Sequence, residues 1–105
     1  MNWRASPETD TDLIAGRDFI AADNEVAAHD FLDAAFESFD QLGKFPEMGP
    51  EASFKHRALK GMQFFVLRPP FNRWLVFYQL SGMGIDIRRV LYGNVNWRQE
   101  PGRFF

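Results

Sequence analysis

Trp74-Leu75-Val76-Phe77-Tyr78-Gln79-Leu80, then Ser81-Gly82-Met83-Gly84, then Ile85-Asp86-Ile87-Arg88-Arg89-Val90-Leu91-Tyr92, is the stretch on which the fold turns. Two runs rich in β-branched and aromatic residues flank a glycine-rich loop, which is the pattern of a β-hairpin. The first run is apolar at both parities, so both of its faces are covered, and both strands of the hairpin read as central in their sheet. Gly93 ends the second run. Upstream, residues 63–68 (Gln63-Phe64-Phe65-Val66-Leu67-Arg68) read as a further strand stopped by Pro69-Pro70, since proline cannot serve a ladder. Residues 56–60 read as a short strand broken at Gly61.

The first half has helical spacing instead. Ser6-Pro7-Glu8 is a helix start: Ser6 caps, Pro7 fits the first turn, and Glu8, Asp10 and Asp12 suit the positive end of the dipole. Leu13, Arg17 and Ile20, with Ile14 and Ala21, carry a helix over 7–22. Asp23-Asn24 breaks it and caps a second helix, about 25–42, ended by Gly43. Its apolar stripe is Ala28, Leu32, Ala35, Phe36, Phe39 and Leu42. Asp30, Asp33, Glu37 and Asp40 lie off the stripe, toward solvent. So short a connection predicts an antiparallel helical hairpin. The fold class is therefore α+β, a helical hairpin followed by a mainly antiparallel sheet, expected as one domain over residues 1–105.

Charge divides along the same boundary. Residues 1–53 hold twelve of the fourteen Asp/Glu and three Lys/Arg; residues 54–105 hold nine Lys/Arg and two acids, Asp86 and Glu100. The formal charges are −9 and +7, hidden in a net −2. A basic working surface aimed at an anionic partner follows from this, or else mutual neutralisation across the fold.

With no cysteine, disulfides, thiolate metal sites and thiol catalysis are excluded. His29 and His56 lack partners at metal-ligand spacing, so neither a metal nor a cofactor is expected. No apolar stretch approaches a membrane span, and the expectation is a soluble cytoplasmic protein. Arg57, Lys60, Arg68 and Arg73, with Phe71, Trp74 and Tyr78, form a basic–aromatic mixture of the kind that grips single-stranded nucleic acid, or a solvated rim around a core. Strand alternation places Arg89 with Ile85, Ile87 and Leu91 on an apolar face, where it needs a carboxylate, carbonyls or an anionic ligand. Arg98 and Arg103 follow Trp97 in a tail that ends Phe104-Phe105.

The order of these elements resembles the RelE/ParE toxin superfamily of bacterial type II toxin–antitoxin modules, and ParE more than RelE. Arg4-Ala5-Ser6-Pro7-Glu8 running to Asp12-Leu13, Leu42-Gly43-Lys44-Phe45-Pro46-Glu47-Met48-Gly49, Arg73 to Tyr78, and Ile87-Arg88-Arg89-Val90-Leu91-Tyr92-Gly93 carry the likeness. It implies that Met1-Asn2-Trp3-Arg4 forms a short first strand. It also implies a cognate antitoxin as partner and DNA gyrase as target, reached by protein contact; the candidate contact residues read from this sequence are Arg57, Lys60, Arg68, Arg73, Arg88, Arg89, Tyr92, Trp97 and Arg98. The RelE branch implies instead a ribosome-dependent mRNA endonuclease, with Arg68, Arg73, Arg89 and Tyr92 as its catalytic set; a non-toxic relative that retains the fold is the further alternative. Against that branch, Asn94-Val95-Asn96-Trp97-Arg98 lacks the dense basic run followed by tyrosine that such nucleases carry there.

Overall fold

The computed structural model describes every residue except Met1 and Met83. Strand β1 (Trp3–Ala5) leads into helix α1 (Pro7–Ala21) and helix α2 (Glu25–Lys44); strands β2 (Gln63–Val66), β3 (Trp74–Ser81) and β4 (Gly84–Tyr92) follow. The four strands lie in the order β1-β4-β3-β2, with β1 parallel to β4 and the other pairs antiparallel. The α+β expectation and the central placement of β3 and β4 hold. Of the expected N-terminal strand, Met1 lies outside the described residues, as does Met83 of the hairpin loop.

Caps set the helices as the sequence indicates. The Ser6 hydroxyl accepts the Thr9 N–H, and the Asn24 side chain accepts the Ala27 N–H. Helix α2 runs through Gly43 to Lys44, two residues beyond the expected end at 42. Its buried stripe is also rotated: Phe31, Ala34, Ala35, Phe39 and Leu42 face the sheet, while Phe36 is 44% exposed and stacks on Trp3. Phe31 belongs to the core because Phe71 meets it edge-on and Trp74 packs against it at a tilt. The short strand expected at 56–60 is instead a single 3-10 turn, Arg57–Leu59, whose N-terminal N–H is capped by the His56 ring.

Apolar residues on opposite parities of β3 give the sheet two cores. Val76 and Tyr78 pack with Ile85, Ile87 and Val90 against the helices. Phe77 packs on the outer face with Leu59, Met62, Leu91 and Trp97, roofed by Phe54, Phe104 and Phe105. The chain after β4 thus folds back over the outer face, where Trp97 and Phe105 rings meet Phe77 at 4.9 and 5.0 Å.

Tyr78 is the polar hinge of the helix-side core. Its hydroxyl donates to the Pro46 carbonyl at 2.6 Å and accepts the Gly49 N–H at 2.9 Å. Gln63 donates to the Pro46 and Gly49 carbonyls as well, so the 46–49 loop is held at four points. Gly49 tolerates no side chain, because a Cβ would collide with the Phe64 carbonyl and the Tyr78 hydroxyl. Burial raises the Tyr78 pKa; the Glu47 charge adds to this and the Gly49 N–H opposes it.

Removing that hydroxyl in Tyr78→Phe is expected to lower stability by about 1–3 kcal/mol in urea denaturation, since buried partners lose a bond. A folded pKa above the unfolded value of ~10 makes the contribution complete below that pH and lost as pH rises through the folded value. Tyr78→Phe should therefore flatten the alkaline limb of the stability profile.

Candidate functional site

The free edge of β4 decides where the arginines point. β1 covers β4 only at Ile85–Ile87, and beyond it the edge is closed by side chains of α1. The Ser6 hydroxyl donates to the Arg88 carbonyl, the Thr9 hydroxyl donates to the Ile87 carbonyl, and the Asp12 carboxylate accepts the Val90 N–H at 3.0 Å. Opposite, the β3–β4 register slips: Tyr78 faces Ile87 and Phe77 faces Arg89, leaving Arg88 without a cross-strand partner. This β-bulge shifts the alternation by one residue. Ile85, Ile87 and Val90 face the helices, and Leu91 joins the outer cluster. Strict alternation, which grouped Arg89 with Ile85, Ile87 and Leu91, is corrected by the bulge.

Arg89 meets its need for acceptors inside the protein. Nε and Nη2 donate to the two Asp12 oxygens, each at 2.7 Å, and Nη1 donates to the Phe104 carbonyl at 2.7 Å. The bidentate carboxylate, chiefly, raises its pKa, so the guanidinium stays charged. Arg89 is a structural clamp between α1, β4 and the tail.

Arg88 is the available neighbour. Half-buried, its Nη1 donates to the Gln79 side-chain oxygen, and among the described residues it has no carboxylate partner. The Gln79 amide donates to the Ala58 and Lys60 carbonyls at 3.4 and 3.2 Å. Gln79 therefore orients Arg88 and ties it to the turn bearing Arg57 and Lys60, both exposed and without a carboxylate within 4 Å among the described residues. Arg4 flanks the group from β1, 3.9 Å from Asp86. Arg88 also lines two adjoining open depressions. One, about 310 Å³, includes Arg4, Ser6, Pro7 and Asp86; the other, about 200 Å³, includes Glu8, Arg89, Arg103 and Phe104.

The remaining expected residues fall elsewhere. Arg68 turns to the helix side, donating to Asp30 at 2.8 Å and Glu37 at 2.9 Å. Both acids raise its pKa, and Arg68 in turn holds the Asp30 carboxyl below its ordinary value. Asp30 and Glu37 thus do not simply face solvent, and Asp40 accepts the Trp3 indole N–H at 2.7 Å. Arg73 is exposed, with its carbonyl accepting the Gly93 N–H. Tyr92 packs edge-on against Trp74, ring centroids 5.2 Å apart. Trp97 is only 4% exposed, and Arg98 lies over its ring at 4.3 Å and over Phe64 at 5.7 Å. Phe71 and Tyr78 are buried and Trp74 packs on the same core, so these aromatics are not the stacking platform that the sequence suggested. Gln79, which organises the cluster, escaped the sequence reading; its signal is a lone amide in an otherwise apolar strand.

A family model described as the ParE toxin of type II toxin-antitoxin system, parDE, matches residues 4–97. No curated protein matches the chain. A solved structure of a chromosomal ParDE TA system from P. aeruginosa has the same fold: TM-score 0.69 at 16% identity, over 88% of this chain and 95% of that one.

Asp12→Ala is expected to cost about 2–4 kcal/mol in chemical denaturation, because it strands a guanidinium and a strand N–H at side chains only 22% and 11% exposed. Arg89→Ala should cost a similar amount, and the double variant less than the sum. Arg88→Ala should fall under about 1 kcal/mol.

Proposed function

The chain belongs to the ParE toxin family of type II toxin–antitoxin systems, and we propose that it inhibits DNA gyrase by direct contact and is neutralised by a cognate antitoxin. The basic outer face around Arg88 is the working surface. The observation that carries this is the division of labour between adjacent arginines: Arg89 is consumed by Asp12 and Phe104, whereas Arg88 is oriented by Gln79 and left with unused donors. A poison that acts by contact needs a presented surface and no catalytic set. The antitoxin has both a basic sheet face and an acidic helical hairpin to cover, and an extended segment with an amphipathic helix suits that shape.

Cleavage of mRNA at the ribosome is the weaker reading. It asks for cations at the phosphorane and a base at the 2′-OH. Arg68 is committed to two carboxylates of α2, Arg89 to a carboxylate of α1, and Tyr92 lies against Trp74 on the helix side. Of its three arginines, Arg73 alone makes no ion pair among the described residues.

On induced expression without antitoxin, DNA synthesis is expected to fall before protein synthesis in pulse-labelling, and the purified chain to block supercoiling by gyrase. Arg88→Glu should abolish toxicity while the protein stays folded, and Tyr92→Phe should keep it. Protein synthesis failing first, with loss of toxicity in Tyr92→Phe, would establish the nuclease reading instead.

A further inference from the structure

We propose that the cation row on the outer face binds the phosphodiester backbone of double-stranded DNA, so that the toxin engages its target enzyme on DNA. The proposal rests on the reading of this face as the working surface and names what it touches.

Four observations carry it. The cations follow one another across the strands: Arg4 on β1, Arg88 on β4, then, past Gln79 on β3, Arg57 and Lys60 on the turn that Gln79 holds. Two strand spacings of ~4.8 Å separate Arg4 from Gln79, so the row extends about 10 Å or more, enough to span several duplex charges at one per ~1.7 Å of axis. Two acids flank the row: Asp86, 3.9 Å from Arg4, and Glu8, which lines the depression beside Arg88 without an ion pair to it. Arg57, Lys60 and Arg88 have no carboxylate within 4 Å among the described residues. The depressions on either side of Arg88 give oxygen atoms room to approach its guanidinium.

The chemistry of the row favours phosphate over an acidic protein surface. Protein interfaces draw their affinity from buried apolar and aromatic anchors. Among the described residues the exposed large apolar side chains lie on the helices, just after them, on β2 and at the end of β3 (Leu80), and none is a member of the row. Duplex interfaces are polar and strongly positive, as the row is. Glu8 apart, the acids of the helical hairpin do not line the depressions beside Arg88, so the net −2 charge opposes docking little in this orientation.

The test is fluorescence anisotropy of a short labelled duplex of arbitrary sequence with the full-length chain, across a salt series and without gyrase. Binding should weaken as salt rises, and Arg88→Gln and Lys60→Gln should each reduce the slope of log K against log salt by about one. Arg17→Gln on the hairpin should leave it unchanged. Circular dichroism establishes that each variant is folded. Absence of binding at low salt, or slopes unchanged in both row variants, overturns the proposal. The same preparations are assayed for gyrase inhibition. Inhibition without DNA binding, lost in Arg88→Gln, assigns the row to acidic groups of the enzyme: the DNA contact falls and the gyrase reading stands. DNA binding without inhibition leaves the DNA contact standing, and the gyrase reading falls.

Discussion

The structure hangs on how α1 closes the exposed half of β4. A strand edge left bare in the middle of a fold carries unsatisfied N–H and C=O groups, each costly once water is excluded. Here the first strand is only three residues long and covers the edge at Ile85–Ile87 alone. Ser6, Thr9 and Asp12, at one helical face, replace the missing strand with a hydroxyl, a second hydroxyl and a carboxylate. That spacing is why the Ser-Pro-Glu opening and the Asp12-Leu13 pair occur together: Ser6 starts the helix, Thr9 and Asp12 stitch it to the sheet, and Leu13 enters the core beside them. The same stitch spends Arg89 and leaves Arg88 to the outside.

Charge separation in the sequence becomes charge separation in space through the layered fold. The hairpin lies on one face of the sheet and the loop and tail segments on the other, so acids and bases end on opposite sides. Arg68 is the instructive exception: it comes from the basic half yet crosses to Asp30 and Glu37, fastening the two layers. Such exposed pairs add little stability. They take both acids out of the hairpin's free charge and Arg68 out of the free positive charge.

Much of the fold was legible because periodicity and punctuation agreed. Caps at Ser6 and Asn24 and apolar runs in β3 and β4 are local signals, and the structure keeps them; the strand expected over 63–68 ends earlier, at Val66. What failed depended on partners distant in sequence. Phe31 counts as core only once Phe71 and Trp74 arrive against it, and 56–60 coils because Leu59 must dip into the outer core while the backbone turns to meet Gln79. The arginines were legible as a group and illegible as individuals. Which of two adjacent residues is free depends on a bulge that alternation cannot foresee and on an aspartate 77 positions away.

That bulge is a phase slip of one residue in a strand that is otherwise periodic. Before it, odd-numbered residues of β4 belong to the helices' side; after it, even-numbered ones do. Two chains of this fold with matching arginine content, but with the slip one position apart, would display different residues to the outside while looking alike when written side by side. Shortening β4 at the slip would restore a regular ladder and so satisfy every local preference of the strand. It would also remove the extra outward position, so that one arginine, not two, would stand between Ile87 and Val90 on the outer face. What this strand offers to a partner is thus inherited less through the identity of its residues than through the position of an irregularity.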